Sequence, residues 1–188
     1  MLLNTHSWFS LNYGVLSPEQ VLQEAHDLGL QQVALTDVNC TAGWSDLFRL
    51  ADKYKVRPLA GIEFKRGART LYIGIARNNL GLHQLAGLLT DELLDDMPLP
   101  ERAPEMPDAF IIYPFGAPNI PEKPRPNEYI GIRPNDVNRL RFSPFIRHKE
   151  HLLALATATF RSDPLLAKRD FNVHRLKRAV DTNMLLST

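Results

Sequence analysis

A single cysteine, Cys40, excludes an internal disulfide and fits a reducing cytoplasm. No charge of one sign dominates: 22 Lys and Arg face 21 Asp and Glu, so no global field draws the chain toward nucleic acid or an anionic membrane, and any such contact has to be local or indirect. No apolar stretch approaches the roughly 20 residues of a bilayer-spanning helix, because Lys, Asp, Arg, Pro or Gly interrupts each candidate, and the start does not resemble a signal peptide. Gly61, Gly67 and Gly74 stand alone, so there is no glycine-rich phosphate loop, and Cys40 has no nearby partner for nucleophilic chemistry. A soluble cytoplasmic domain is expected. With 188 residues, 44% apolar content and 9% aromatics, it has material for one ordinary core, read as a single domain over 1–188.

Three apolar runs are present, and each ends in a residue able to bind a metal. His6 follows Met1-Leu2-Leu3, Asp37 follows Val33-Ala34-Leu35, and Glu63 follows Leu59-Ala60-Gly61-Ile62. In sheets and barrels of parallel strands, loops at the carboxyl edge gather side chains from several strands, so these three are candidates for one metal pocket.

The runs alternate with helical signals. Ser17, Pro18 and Gln20 form an N-cap, a first-turn proline and a capping box ahead of an apolar face of Val21, Leu22, Ala25 and Leu28. Gln32 to Thr36 reads as a second strand and Asp37 to Gly43 as a loop. Leu47, Leu50, Ala51 and Tyr54 mark a second helix, and Arg57 to Phe64 a third strand. This β-α-β-α-β order predicts parallel crossovers. Leu71 to Ala76 predicts a strand after the Arg66-Gly67 turn, and Leu80 to Leu89 a helix. Nine of the 14 prolines lie between Pro98 and Pro126, which predicts an ordered, loop-rich excursion with a short strand near Phe110 to Tyr113. Phe110 through Tyr113 and Phe115 are expected to be buried. Glu128 to Ile132 predicts a strand, Asn135 to Arg141 a short helix, Leu152 to Ala156 a strand, and Asp170 to about Thr182 a closing helix.

Other candidates have plainer readings. Lys168, Arg169, His174, Arg175, Lys177 and Arg178 lie along the closing helix and read as a solvated face. Trp8, Phe9, Trp44 and Phe48 read as core or domain-contact residues. His26, His83 and His151 have no metal-ligand spacing to one another.

The segments Asn4-Thr5-His6-Ser7-Trp8-Phe9-Ser10-Leu11, Ala34-Leu35-Thr36-Asp37-Val38-Asn39 and Ala60-Gly61-Ile62-Glu63-Phe64 together resemble the PHP (polymerase and histidinol phosphatase) domain. The form is that at the N-terminus of the bacterial replicative DNA polymerase III alpha subunit. Ile73-Gly74-Ile75-Ala76-Arg77-Asn78-Asn79 and Phe171-Asn172-Val173-His174-Arg175-Leu176 extend the likeness. The resemblance implies an α/β fold, a distorted (β/α)7 TIM-like barrel that 188 residues could leave incomplete at the C-terminus, with up to three metals at one mouth. It also exposes departures. The family's His-x-His reads Asn4-Thr5-His6, its Asp-His reads Asp37-Val38, a histidine near the fourth strand falls at Thr70 or Leu71, and its late Asp-x-His falls on Ala158-Thr159-Phe160.

Only His6, Asp37 and Glu63 remain as a vestigial metal set, and Asn4, Val38, Ala158 and Phe160 are lost-ligand positions. Valine, alanine and phenylalanine side chains offer no lone pair, and a hydrolytic cluster needs many placed imidazoles and carboxylates. The expectation is a catalytically silent domain without a cofactor; the alternative is zinc or manganese at a remnant site, in an active phosphoesterase or 3′-5′ exonuclease. The implied partners are the remainder of the polymerase alpha subunit and a proofreading exonuclease, without membrane contact. The end at Leu185-Leu186-Ser187-Thr188, directly after a helix, fits a domain cut from a longer chain, with the nucleotidyl-transfer aspartates beyond it.

Overall fold

The structure is a computed structural model and describes residues 1–11, 13–94 and 97–182. Asn12 of the expected turn and the Leu185-to-Thr188 end lie outside the described residues. The chain is mixed α/β, as expected, and divides into two compact units: residues 1–60 with 157–188, and residues 61–156.

In the first unit, β1 (Leu2–Thr5) pairs in parallel with β2 (Gln32–Val38), with Leu2 opposite Val33 and Thr5 opposite Leu35. Between them lies α1 (Pro18–Asp27), and α2 (Gly43–Tyr54) follows β2. The capping box at Ser17 and Gln20 forms in both directions, at 3.1 and 2.9 Å. It satisfies two backbone donors that a helix start otherwise leaves open. Val21, Leu22 and Ala25 from α1 meet Leu47 and Ala51 from α2 over Val33 and Leu35. Each fully buried leucine contributes about 1.5–3 kcal/mol by leaving water. Leu28 does not join them. It is the C-cap residue, one past the last residue of α1, where the chain leaves helical geometry, and it is exposed.

Two elements depart from expectation. A two-residue strand, β8 (Thr157–Ala158), pairs in parallel with β1. The closing helix, α5 (Pro164–Thr182), begins six residues before the expected Asp170. Asp163 Oδ1 accepts from the backbone N–H groups of Leu165 and Leu166 at 3.0 and 2.9 Å, an N-cap followed by a first-turn proline. Asp170 itself lies inside α5, where Arg161 donates to it from Nε at 2.9 Å, Nη2 at 2.5 Å and the backbone at 3.1 Å.

The second unit takes up β3 (Arg57–Arg66) from Gly61 onward. It forms an antiparallel hairpin with β4 (Arg69–Ala76), and β4 pairs antiparallel with β5 (Ala109–Pro114). The run then turns parallel through β6 (Glu128–Ile132) and β7 (Leu152–Ala154). Asn78 Oδ1 accepts from Gly81 N at 3.0 Å at the start of α3 (Asn79–Leu94), which buries Leu85 and Leu89. The expected short helix is a 3-10 turn at Pro134–Asp136 running into α4 (Val137–Leu140). Along β5, Ile111, Ile112 and Tyr113 are buried, as expected, while Phe110 is 37% exposed, contrary to its expected burial.

Glu128, wholly buried at the start of β6, holds the proline-rich segment to the strands. It accepts from Arg102 Nη2 at 2.7 Å, the Arg125 backbone N–H at 2.7 Å and the Tyr113 hydroxyl at 3.1 Å. That hydroxyl also accepts from Ala103 N at 3.1 Å. Burial opposes the ionisation of Glu128, but these donors outweigh it and hold the carboxyl below the ordinary glutamate value. Burial likewise pushes the Tyr113 hydroxyl up, to about 12. Asp170 repeats the case: burial opposes its charge, and Arg161 prevails. Among the described residues, no helix is long and apolar enough to cross a membrane.

Both carboxyls bind protons less readily in the folded chain than in the unfolded one. Their contribution is therefore present above the unfolded values and lost as pH falls through the lowered folded values. Urea midpoints should stay level near neutrality and fall below about pH 4, and Glu128→Gln should flatten that acid limb and cost roughly 2 kcal/mol at pH 7.

Candidate functional site

Asp37 sits one residue before the end of β2, where a strand-end ligand was expected, and is buried. Both of its oxygens already have donors. Oδ1 accepts from the Ser7 backbone N–H at 2.7 Å and the Ser10 hydroxyl at 2.6 Å, and Oδ2 accepts from the Ser7 hydroxyl at 2.7 Å. Ser10 Oγ in turn accepts from Val38 N at 2.9 Å, so the residue standing where the family has a histidine is engaged through its backbone. A Cβ on Gly43 would lie 2.8 Å from Asp37 Oδ2 and 2.8 Å from Leu35. Only glycine lets the start of α2 come this close, and the helix has no side-chain cap of its own. A carboxylate beside a helix N-terminus is favourable there.

Asn4, the first departure from the family pattern, is buried and fixed by two threonines. Its Oδ1 accepts from Thr36 Oγ1 at 2.7 Å, and its Nδ2 donates to Thr157 Oγ1 at 3.1 Å. His6 is buried, its backbone N–H donates to Ala158 O at 3.3 Å, and its ring lies 6.5 Å from that of Tyr13. Ala158 thus meets β1 through its backbone. Phe160, which the resemblance sets at a ligand position, stacks edge-on against Phe171 at 6.0 Å and His174 at 5.4 Å, an apolar role.

Glu63 belongs to the second unit. Its Oε1 accepts from Thr70 Oγ1 at 2.6 Å and lies 3.8 Å from Lys65 Nζ. Thr70, one of the two positions at which the resemblance anticipates a histidine, therefore supplies a hydroxyl to the glutamate.

Of the basic run on α5, Lys168, Arg169 and Arg175 are exposed, as expected of a solvated face, while His174, Lys177 and Arg178 are partly buried. His174 Nδ1 donates to Tyr13 O at 2.8 Å, Lys177 Nζ donates to Gly14 O at 2.6 Å, and the Arg178 guanidinium lies over the Tyr13 ring at 4.9 Å. Burial holds the Lys177 amine below the usual lysine range. A Cβ on Gly14 would fall 1.6 Å from Ser7 O, so the loop under α5 crosses itself at a point that admits no side chain. Trp8 and Phe48, expected in a core or a domain contact, are 49% and 45% exposed, and Leu11 is 78% exposed.

This donor set does not fit a multinuclear metal centre. A cation at Asp37 would have to displace serine donors, Asn4 is held between two threonines, and the side chains of Val38, Ala158 and Phe160 coordinate nothing. Among the described residues, no group of three or more His, Cys, Asp or Glu is arranged to hold a metal ion. The residues that shape the site and that sequence reasoning gave no role are the small hydroxyls Ser7, Ser10 and Thr36, and Thr70 was singled out only as a position of a missing histidine.

Comparison with solved structures shows the same fold in an amidohydrolase from Chromobacterium violaceum, solved with bound sulfate and no metal. The TM-score is 0.53 at 13% identity, over 88% of this chain and 89% of that one. A protein from Bifidobacterium adolescentis assigned as a metal-dependent phosphoesterase aligns with a TM-score of 0.40 at 12% identity, over 97% of this chain and 84% of that one. No curated protein matches the chain significantly. The PHP domain family model matches residues 3–112, more than half of the sequence, and the chain therefore belongs to the PHP domain family.

Proposed function

We propose that this chain is a PHP domain without metal-dependent hydrolysis that works as a scaffold, of the kind found at the N-terminus of a replicative DNA polymerase III alpha subunit. The observation that carries this reading is Asp37. Its oxygens accept three hydrogen bonds from Ser7 and Ser10, so the carboxylate that would ligate a cation instead orders the β1-to-α1 loop. A vestigial His6, Asp37 and Glu63 set agrees with the coordinating side chains missing at Val38, Ala158 and Phe160.

A scaffold needs surface that gains by being covered. Trp8 and Leu11 on that loop and Phe48 on α2 are exposed apolar groups in the first unit. Interfaces of this kind concentrate binding energy in aromatic anchors. The partners this reading assigns are the rest of the polymerase chain, which would carry the nucleotidyl-transfer aspartates, and the proofreading exonuclease. The activity of the whole protein would then be DNA-directed DNA synthesis, with this domain bracing it.

Five measurements test the proposal. Metal analysis of protein purified without chelator should find less than one equivalent of zinc or manganese. Chelator should leave the urea midpoint unchanged, and a chromogenic phosphoester should turn over no faster with the wild type than with His6→Ala. Stoichiometric metal with turnover lost in His6→Ala would instead establish a phosphoesterase. Asp37→Ala should destabilise the fold by roughly 3 kcal/mol and Ser10→Ala by about 1–2, since each strands buried donors. Mixing with the cognate exonuclease at about 50 µM should give a complex that Trp8→Ser weakens about tenfold; no complex at that concentration removes the docking assignment.

A further inference from the structure

The second unit carries a cavity of about 470 Å³ that has no part in the reading above. Its walls come from the end of β4, the proline-rich segment and the first turns of β5 and β6. The volume lies within the range of small-ligand pockets. Phe110 and Tyr129 form its aromatic side, with ring centroids 6.0 Å apart and tilted by 66°. Phe110 is the one residue of β5 whose exposure contradicts its hydrophobicity, and this cavity is where it is exposed. The aromatic row continues from Tyr129 to His151 at 6.0 Å and from His151 to His148 at 6.5 Å.

Two guanidiniums and one carboxylate supply the polar side. Arg77 stacks over Phe110 at 5.0 Å and donates one long bond, from Nη1 to Pro107 O at 3.3 Å. Its Nε and Nη2 remain for a ligand. Arg125 spends Nη1 on Ala103 O and Pro104 O, at 3.0 and 3.1 Å, with Glu128 3.6 Å away, and keeps its other donors. Glu105 is exposed on the same wall.

We infer that this cavity binds a nucleoside phosphate unit, the base against Phe110 and Tyr129 and the phosphate at Arg77 and Arg125. Each part answers one feature of such a ligand. A base has a flat face for the rings, and a phosphate accepts the paired N–H donors of a guanidinium. Glu105 decides between this ligand and a phosphorylated aromatic side chain. A carboxylate accepts from the N–H groups on a base edge, whereas a phenyl ring offers it no donor. The unit can come from a free nucleotide or from single-stranded nucleic acid, since both carry the base and the phosphate that the cavity would hold.

The test is titration of the 188-residue chain, followed by NMR amide shifts, with dGMP, with a short single-stranded oligonucleotide and with phosphotyrosine. Shifts confined to Arg77, the Glu105–Phe110 segment and Arg125–Tyr129 are expected with dGMP. Phe110→Ala should weaken binding by about fivefold or more, and Arg77→Gln should weaken it and lower its salt dependence. An oligonucleotide that binds more than about tenfold tighter than dGMP identifies a strand as the source, and equal affinity identifies the free nucleotide. Thermal unfolding checks each variant; Arg77 is exposed and loses one long bond, so that variant carries the test if Phe110→Ala unfolds. No shift with dGMP up to about 5 mM, binding unchanged in the folded variants, or tighter binding of phosphotyrosine would overturn the inference.

Discussion

A buried carboxylate must be paid for with donors, and Asp37 sets the terms for the first unit. Removing its charge from water without partners would cost several kcal/mol, so the chain brings Ser7 and Ser10 to it through a loop that would otherwise have no fixed path. That loop carries Trp8 and Leu11 outward and positions Tyr13 and Gly14 for α5. The bare N-terminus of α2 rests on the same carboxylate, which is why Gly43 can carry no side chain. One acidic group thus directs a strand end, a loop and a helix start, and its oxygens are committed before any cation could compete for them.

The second unit solves the same problem differently. Glu128 is as deeply buried, and its donors come from a segment that forms little regular structure. Proline removes backbone donors and fixes φ, so the excursion cannot stabilise itself by a ladder of its own. It is ordered instead by side chains, with Arg102, Arg125 and Tyr113 converging on one acid. The walls of the Arg77, Phe110 and Arg125 cavity follow from this anchoring. The turn that delivers Arg125 to Glu128 also delivers Asn127 and Tyr129 to the pocket rim, where Asn127 Nδ2 ties back to Met106 O and Ala109 O at 2.8 Å each.

Much of the architecture was legible because its determinants are local. Ser17, Pro18 and Gln20 announce α1 within four residues, and Glu128 to Ile132 is apolar and β-branched enough to be read to its ends. The start of α5 carried an equally local signal in Asp163-Pro164. It was obscured because Leu165 and Leu166, which follow, are exposed and give no buried periodicity. β8 is two residues long and exists through pairing with β1, which no local pattern reveals. The strand-end positions of Asp37 and Glu63 followed from the apolar runs before them. Their hydroxyl partners did not, since serine and threonine are common near strand ends and only the fold selects Ser7, Ser10 and Thr70. Arg161 and Asp170 were missed for a related reason: an ion pair nine residues apart across a helix start has no periodic signature.

The grip of α5 on Tyr13 and Gly14 joins residues separated by more than 160 positions, and the first unit is built from both ends of the sequence. During synthesis the opening sixty residues must wait while Gly61 to Ala156 emerge from the ribosome, an interval of roughly 5–20 seconds at typical elongation rates. Throughout that wait β1 has no β8 beside it and the early loop lacks the α5 contacts to Tyr13 and Gly14, leaving a strand edge unpaired. A nascent chain of this design therefore stands to benefit from a chaperone in a way that a domain completed in order along its sequence does not.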